Sequence, residues 1–344
     1  MKLRVGIVGC GRIGCGFDDD PKRKMISTHA GAYEKTKETQ IVGLCDLDVN
    51  KLKKYGKKYK VFGLYTDYIE MLEKENLDIL SICTWSSSHY DIIANSSRYD
   101  IKAIFCEKPL ADNLKQGREI VNICNKEKII LQVDHQRRFD NFYKKIRIFL
   151  KKGNLGKIQQ GNFYYTSGIA NTGSHIFDLL LFFFGIPDWV QSNYSDTQSP
   201  NTKDPNIDGF VKFKNGILCS IQSCDVKNYL IFEMDIIGSR GRLKLTHSGF
   251  GLEYYIIKDS PYFSGYRELF RSRAPFSFNK KREFMLCAIK HLIYCIKNDI
   301  EPISSGIDGL ASLELIIAFH ESARKKGKKV YLPLKYSNIV IESR

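Results

Sequence analysis

The chain has 344 residues, 43% of them apolar and 12% aromatic, which excludes a disordered chain and is enough for two domains of ordinary size. The most apolar run, IFDLLLFFFG, is broken by Asp178 and falls short of the roughly 20 residues of a membrane span, and MKLRVGIVGCG turns glycine-rich where a signal peptide needs a sustained apolar region. The net charge of +15 invites an anionic partner, but its basic residues lie in separate clusters (51–60, 279–282, 324–329), which argues against nucleic acid and leaves a small anionic substrate.

LRVGIV (3–8) predicts a strand that ends at GCGRIG. Gly9, Gly11 and Gly14 then form G-x-G-x-x-G, with Arg12 and Ile13 inside the loop. After a strand, the first glycine permits the tight turn, the second lets backbone approach a pyrophosphate, and the third lets helix pack closely on strand. QIVGLCD (40–46) predicts a second strand ending in Asp46, where a carboxylate accepts ribose hydroxyls and repels a 2′-phosphate, favouring NAD over NADP. Arg12 pulls weakly the other way. The interval from Gly14 to Asp46 is 32 residues against roughly 20 expected, and the polar segment 15–27 accounts for the excess. It reads as a surface loop at the mouth of the cofactor cleft; the alternative is a lid whose Lys22, Arg23 or Lys24 meets substrate phosphate.

Helices are expected at 49–58, 67–75, from about 88, and at 112–127, and strands near 61–65, 77–84, 101–109 and 129–135. This alternation predicts a doubly wound parallel sheet in a Rossmann domain, placed at 1–128, with ligands at the carboxyl ends of the strands. Thr84, Trp85, His89, Glu107, Lys108 and Arg138 follow those ends. From 129 to 344, a second domain whose C-terminal segment is free to pack back on the first, the pattern changes to strands at 158–167, 207–214, 217–226, 230–237, 241–246 and 252–258, with helices at 174–184, 281–297 and 308–326. A run of strands in place of an alternation predicts an α+β domain. The ten cysteines are scattered without a C-x-x-C pair, as in a reduced cytoplasmic protein, and the histidines show no zinc-ligand spacing.

Near the middle, NTGSHIFD (171–178) places His175 at the mouth of an apolar run. By itself this reads as a core histidine after an Asn171 helix cap. Together, GCGRIG, CDLD, CTWSSSH, EKPL, the glycine-histidine-aspartate motif at 173–178 and IIGSRGRL resemble the Gfo/Idh/MocA family of glucose-fructose oxidoreductases and inositol dehydrogenases, over nearly the whole chain. The resemblance implies that the α+β domain is built on a large open, mostly antiparallel sheet, and that the protein carries out NAD-dependent oxidation or reduction of a sugar or cyclitol hydroxyl. Within it, Lys108 and His175 are the catalytic pair, Asn171, Asp178, Arg138 and Trp85 meet substrate, and the glycine loop, Asp46, Thr84, His89, Glu107 and Lys108 hold cofactor. Whether His175 or Lys108 takes the hydroxyl proton stays open.

The family motif usually begins with aspartate where this chain has Asn171, a variant resembling members that act on nucleotide-linked or amino sugars in surface-polysaccharide synthesis. The expected substrate is therefore a nucleotide-linked or phosphorylated sugar, oxidised at C3. A dehydrogenase of free sugar or inositol is the alternative, and a non-catalytic NAD-binding regulator a reading of another class. The open sheet face implies a homodimer or homotetramer, with no nucleic-acid, membrane or metal partner.

Overall fold

The computed structural model describes residues 2–278 and 281–343, so half of the basic cluster 279–282 lies outside the described residues. The chain forms two compact units, Met1–Asp140 with Lys281–Leu313, and Asn141–Lys280 with Glu314–Arg344. The boundary expected at 128/129 falls instead after Asp140. A strand of four residues past 128 completes the first sheet, and a later helical segment returns to it.

In the first unit the order is β1 (Leu3–Val8), α1 (His29–Lys35), β2 (Thr39–Cys45), α2 (Val49–Tyr59), β3 (Gly63–Tyr65), α3 (Tyr68–Lys74), β4 (Ile79–Ile82), α4 (His89–Ser96), β5 (Ala103–Cys106), α5 (Leu114–Lys126) and β6 (Ile130–Val133). Among the described residues the strands make one six-stranded parallel sheet in the order β3-β2-β1-β4-β5-β6. The order reverses beside β1, and the crevice at such a switch point is where doubly wound folds bind ligands. β4 and β5 are buried at every residue, as expected of strands covered on both faces. The helices start where short polar side chains can cap them: Asp48, Asp67 and Asn113 each accept backbone N–H groups of the first turn.

The second unit carries α6 (Asn141–Lys151), β7 (Ile158–Tyr165), α7 (Ser174–Phe184), β8 (Pro187–Tyr194), β9 (Ile207–Phe213), β10 (Leu218–Ser223), β11 (Glu233–Gly238), β12 (Gly241–Thr246), β13 (Gly251–Asp259) and β14 (Arg267–Ser272). Next comes α8 (Phe284–Asn298), which belongs to the first unit, where Met285, Ala288, Ile289 and Leu292 join Val5, Ile7 and Phe105 in one core. α9 (Gly306–Arg324) begins in the first unit and ends in the second, and β15 (Val330–Tyr331) closes the sheet.

That sheet has nine strands among the described residues, in the order β14-β13-β12-β11-β7-β10-β9-β8-β15. Only β7 and β10 run parallel. β8, β14 and β15 were not expected from sequence; β14 alternates exposed and half-buried side chains and carries three charges, so its period-2 signal is weak. Within this unit α9 is tied to β8 by Ser192, whose hydroxyl donates to Phe319 O at 2.7 Å and whose N–H donates to Ser322 Oγ at 2.8 Å. Phe177 of α7 packs against Phe319 with ring centroids 4.7 Å apart. All ten cysteines are free thiols, and no helix among the described residues is long and apolar enough to cross a membrane.

Candidate functional site

The glycine loop leaves β1 at Gly9, whose φ of +97° is open to glycine at little cost. A Cβ there would meet the Cys83 backbone at 2.8 Å, and one on Gly14 would lie 2.0 Å from Gly9 O. On Gly11 it would meet nothing within 4 Å. Two glycines are thus consumed by close backbone packing, and the middle one faces open space. This is the division of roles a pyrophosphate cradle requires, so the residues present fit a bound dinucleotide.

The loop does not run straight into a regular helix. Arg12–Gly16 forms one wide helical turn and Phe17–Asp19 a tight one, and α1 starts only at His29, capped by Thr28. The 15–27 insertion therefore interrupts the first helix. Its acids fasten it: Asp18 accepts Ser27 N at 2.7 Å and the Thr28 hydroxyl. Asp19 meets Lys54 at 2.8 Å, Lys58 at 2.7 Å and the Tyr55 hydroxyl at 3.0 Å. Hydrogen bonds from Lys54 and Lys58 hold Asp19 down at about 2. The Arg12 and Arg23 guanidinium groups both lie over the Phe17 ring, at 4.8 and 3.9 Å.

Asp46 closes the other side of the cradle. Its Oδ2 accepts the Cys10 N–H at 2.7 Å and its Oδ1 the Asp48 N–H at 2.9 Å, with Lys51 Nζ 3.9 Å away. Two carboxylate oxygens offer about four acceptor sites, so lone pairs remain for ribose hydroxyls. Ile13 packs half-buried against the core.

Past β4, Thr84 Oγ1 accepts the Ser88 hydroxyl at 2.7 Å, and Trp85 is 57% exposed. His89 corrects the expectation of cofactor contact, since it is wholly buried. Its Nε2 faces Thr84 O at 3.2 Å, and its Nδ1 faces Leu110 O at 3.2 Å and Cys106 Sγ at 3.3 Å. Burial holds its pKa below the ordinary value. A neutral ring donates to one of these two carbonyls only: with its proton on Nε2 it donates to Thr84 O and accepts the Cys106 thiol at Nδ1, and with its proton on Nδ1 it donates to Leu110 O. His89 therefore braces the loops after β4 and β5 from below.

Glu107 and Lys108 follow β5, and the Lys108–Pro109 peptide is cis. The Lys108 N–H donates to Glu107 Oε2 at 3.3 Å. Arg138 is a second correction: expected to meet substrate, it is 4% exposed, and its Nη1 lies 2.6 Å from Asp308 Oδ1 and donates to Ile303 O at 3.0 Å. That guanidinium joins the segment after β6 to the start of α9 in the same unit. Sequence reading cannot separate the two roles, because an arginine after a strand end looks the same in both.

In the second unit, His175 occupies the first turn of α7 with Asp178 one turn on, buried. Asn171 does not cap the helix. Residues Gly168–Gly173 form a wide helical turn, in which Asn171 Nδ2 donates back to Ser167 O at 3.2 Å and the Ser174 hydroxyl donates to Asn171 O at 2.8 Å. Buried Asp204, which sequence reading missed, receives Ala170 N–H on Oδ1 at 2.8 Å and Asn171 N–H on Oδ2 at 2.9 Å. Asn206 accepts Gly168 N–H at 2.9 Å. Gly168 has φ +87°, and a Cβ on it would stand 2.1 Å from Asp204 Oδ2. A carboxylate thus does lie beside position 171, from a loop 33 residues away; the D-P-N run at 204–206 carries no signal by which to foresee it.

The chain's similarities follow the same architecture. A model described as "Oxidoreductase family, NAD-binding Rossmann fold" matches residues 3–135, and one described as "Oxidoreductase family, C-terminal alpha/beta domain" matches residues 166–332. D-apiose dehydrogenase of Paraburkholderia graminis is 25% identical over 93% of this chain and 88% of its own. Myo-inositol 2-dehydrogenase of Thermotoga maritima is 24% identical over 94% and 97%. The fold is shared with the WlbA dehydrogenase of Bordetella pertussis in complex with NADH and UDP-GlcNAcA, at a TM-score of 0.79 and 20% identity, covering 97% of this chain and 100% of that one. With a dinucleotide cradle in its six-stranded sheet and the family's second domain after it, the chain belongs to the Gfo/Idh/MocA oxidoreductases and is an NAD(P)-dependent dehydrogenase.

Proposed function

We propose that the protein oxidises a hydroxyl of a nucleotide-linked sugar to a ketone, or runs the reverse, with His175 and Lys108 as its reacting side chains. When bound, the nicotinamide accepts the hydride from carbon. The hydroxyl proton then needs an acceptor, and an imidazole ordinarily titrates near neutrality. His175 takes that proton, and the Lys108 ammonium stabilises the developing alkoxide. NAD is preferred over NADP, because the Asp46 carboxylate braced against Cys10 N–H repels a 2′-phosphate.

The observation that carries the nucleotide-sugar reading is the amide at 171 in a turn built on Asp204. A carboxylate at 171 would be repelled by Asp204 across that peptide, so this turn suits a neutral side chain there. WlbA, named above with UDP-GlcNAcA, supports the same class. The commitment of Arg138 to Asp308 favours a second reading, a dehydrogenase of free sugar or polyol, in line with the apiose and inositol relatives.

Absorbance of NADH decides between them, with purified protein and NAD or NADP set against nucleotide-sugars, sugar phosphates, free sugars and inositols. Turnover confined to a nucleotide-sugar, faster with NAD, is expected. Turnover of a free sugar or inositol alone makes the second reading correct.

A further inference from the structure

In the first unit the side chains of His29, Glu107 and Asp134 meet, with one nitrogen or oxygen from each all within 4.8 Å of one another. All three are buried, at 0%, 7% and 1% exposure. His29 Nδ1 lies 2.7 Å from Ser81 Oγ and Nε2 3.1 Å from Glu107 Oε1. The Tyr33 hydroxyl stands 3.4 Å from the same Ser81 oxygen. Glu107 Oε2 accepts the Lys108 backbone N–H, and an Asp134 carboxyl oxygen lies within 4.8 Å of both the Glu107 oxygen and the His29 nitrogen.

Tyr33 donates to Ser81, and His29, whether neutral with its proton on Nε2 or doubly protonated, donates from Nε2 to Glu107. Two buried carboxyl groups within 4.8 Å of each other repel strongly when both are ionised, which favours one proton held by the pair. Glu107 accepts from His29 Nε2 and from the Lys108 N–H and keeps the charge. Asp134 Oδ1 has no hydrogen-bond partner; as the carbonyl oxygen of a neutral acid it is far less costly to leave unpaired than a carboxylate oxygen. The pKa directions agree. Burial and the Glu107 charge push Asp134 well up. For Glu107, the upward push of burial is outweighed by the His29 hydrogen bond and charge, the Lys108 charge and the neighbouring Asp134 carboxyl.

We propose that Asp134 is a positioning residue that donates its proton to Glu107 and so fixes the Glu107–Lys108 backbone that presents the Lys108 ammonium. The groups that face Asp134 are Glu107, His29, Lys108, Arg137, Tyr33 and Cys83. Glu107 supplies the acceptor, Lys108 and Arg137 favour the ionised acid, and burial prevails. The role rests on the reading of Lys108 as a group that meets the reacting oxygen.

Two measurements on the full-length protein test this. Infrared difference spectra at neutral pH are expected to show a carboxylic-acid carbonyl band in the wild type that Asp134→Asn removes. In kinetics, Asp134→Ala is expected to lower kcat at least about 10-fold at nearly constant KM for NAD, and Asp134→Asn, whose amide still donates, to restore most of it. Absence of the band, an asparagine variant as slow as the alanine one, or a stoichiometric metal ion lost with Asp134 each overturns the proposal. Normal turnover in Lys108→Ala overturns the reading of Lys108 and the positioning role with it, yet leaves the band in place. The spectra need only the wild type and the near-isosteric asparagine variant, so they decide even where the alanine variant fails to fold.

Discussion

Asp204 Oδ2 accepts the Asn171 N–H at 2.9 Å while Oδ1 accepts the N–H of Ala170, so one buried carboxylate holds two consecutive amides of the turn that leads to His175. Removing it strands both donors away from water. Asp204→Ala is expected to lower unfolding stability by about 2–4 kcal/mol, the range for losing charge-assisted bonds to buried amides. Urea titration measures it, and a loss below about 1 kcal/mol would mean that water takes over both amides.

Gly11 and Gly14 should separate binding from folding. A Cβ on Gly11 meets nothing, whereas on Gly14 it strikes Gly9 O at 2.0 Å. Gly11→Ala should melt like the wild type and bind NAD at least about 10-fold more weakly, because the methyl group fills the approach to the backbone. Gly14→Ala should lose several degrees in Tm. Calorimetric titration beside a melting curve reads both effects; unchanged NAD affinity in Gly11→Ala would place the pyrophosphate elsewhere.

Lys108→Ala and His175→Ala are each expected to reduce kcat at least about 100-fold with NAD affinity largely kept, the scale of lost acid/base help. The wild-type pH profile should lose its acidic limb in the histidine variant alone. If that limb survives in His175→Ala and vanishes in Lys108→Ala, the lysine is the proton acceptor.

His320 sets an acid limit on stability in the second unit. Burial, aided by the Arg324 charge, lowers its pKa from 6.5 to about 4. The folded state favours the neutral ring, while the unfolded chain binds a proton below 6.5, so stability is full above that pH and falls as pH drops toward 4. The shift corresponds to about 3 kcal/mol. His320→Gln should flatten the urea midpoint between pH 6.5 and 4, and an unchanged slope would assign the acid sensitivity to other groups.

Much of the architecture was legible because its signals are local. A β-branched run followed by GCGRIG, with Asp46 after the next strand, specifies a turn, a close backbone approach and an acceptor by residue type alone. α7 could be placed from its apolar run, and β7 and β9 to β13 from theirs. β14, with charges at Arg267, Glu268 and Arg271 and a face that is only half-buried, left no such pattern.

By itself, then, the sequence determined the two-domain class, the dinucleotide cradle and the family motifs around Lys108 and His175, since each depends on short-range geometry and hydrophobic period. Tertiary structure alone decided which polar groups are consumed in holding it together: Arg138 by Asp308, His89 by Thr84 and Cys106, Glu107 by His29 and Asp134, and the turn before His175 by Asp204. A buried polar group must find its partner wherever the fold brings one, and those partners lie up to 170 residues along the chain, from Arg138 to Asp308. Residue type announces the capacity to bind; only the fold shows what has already been bound.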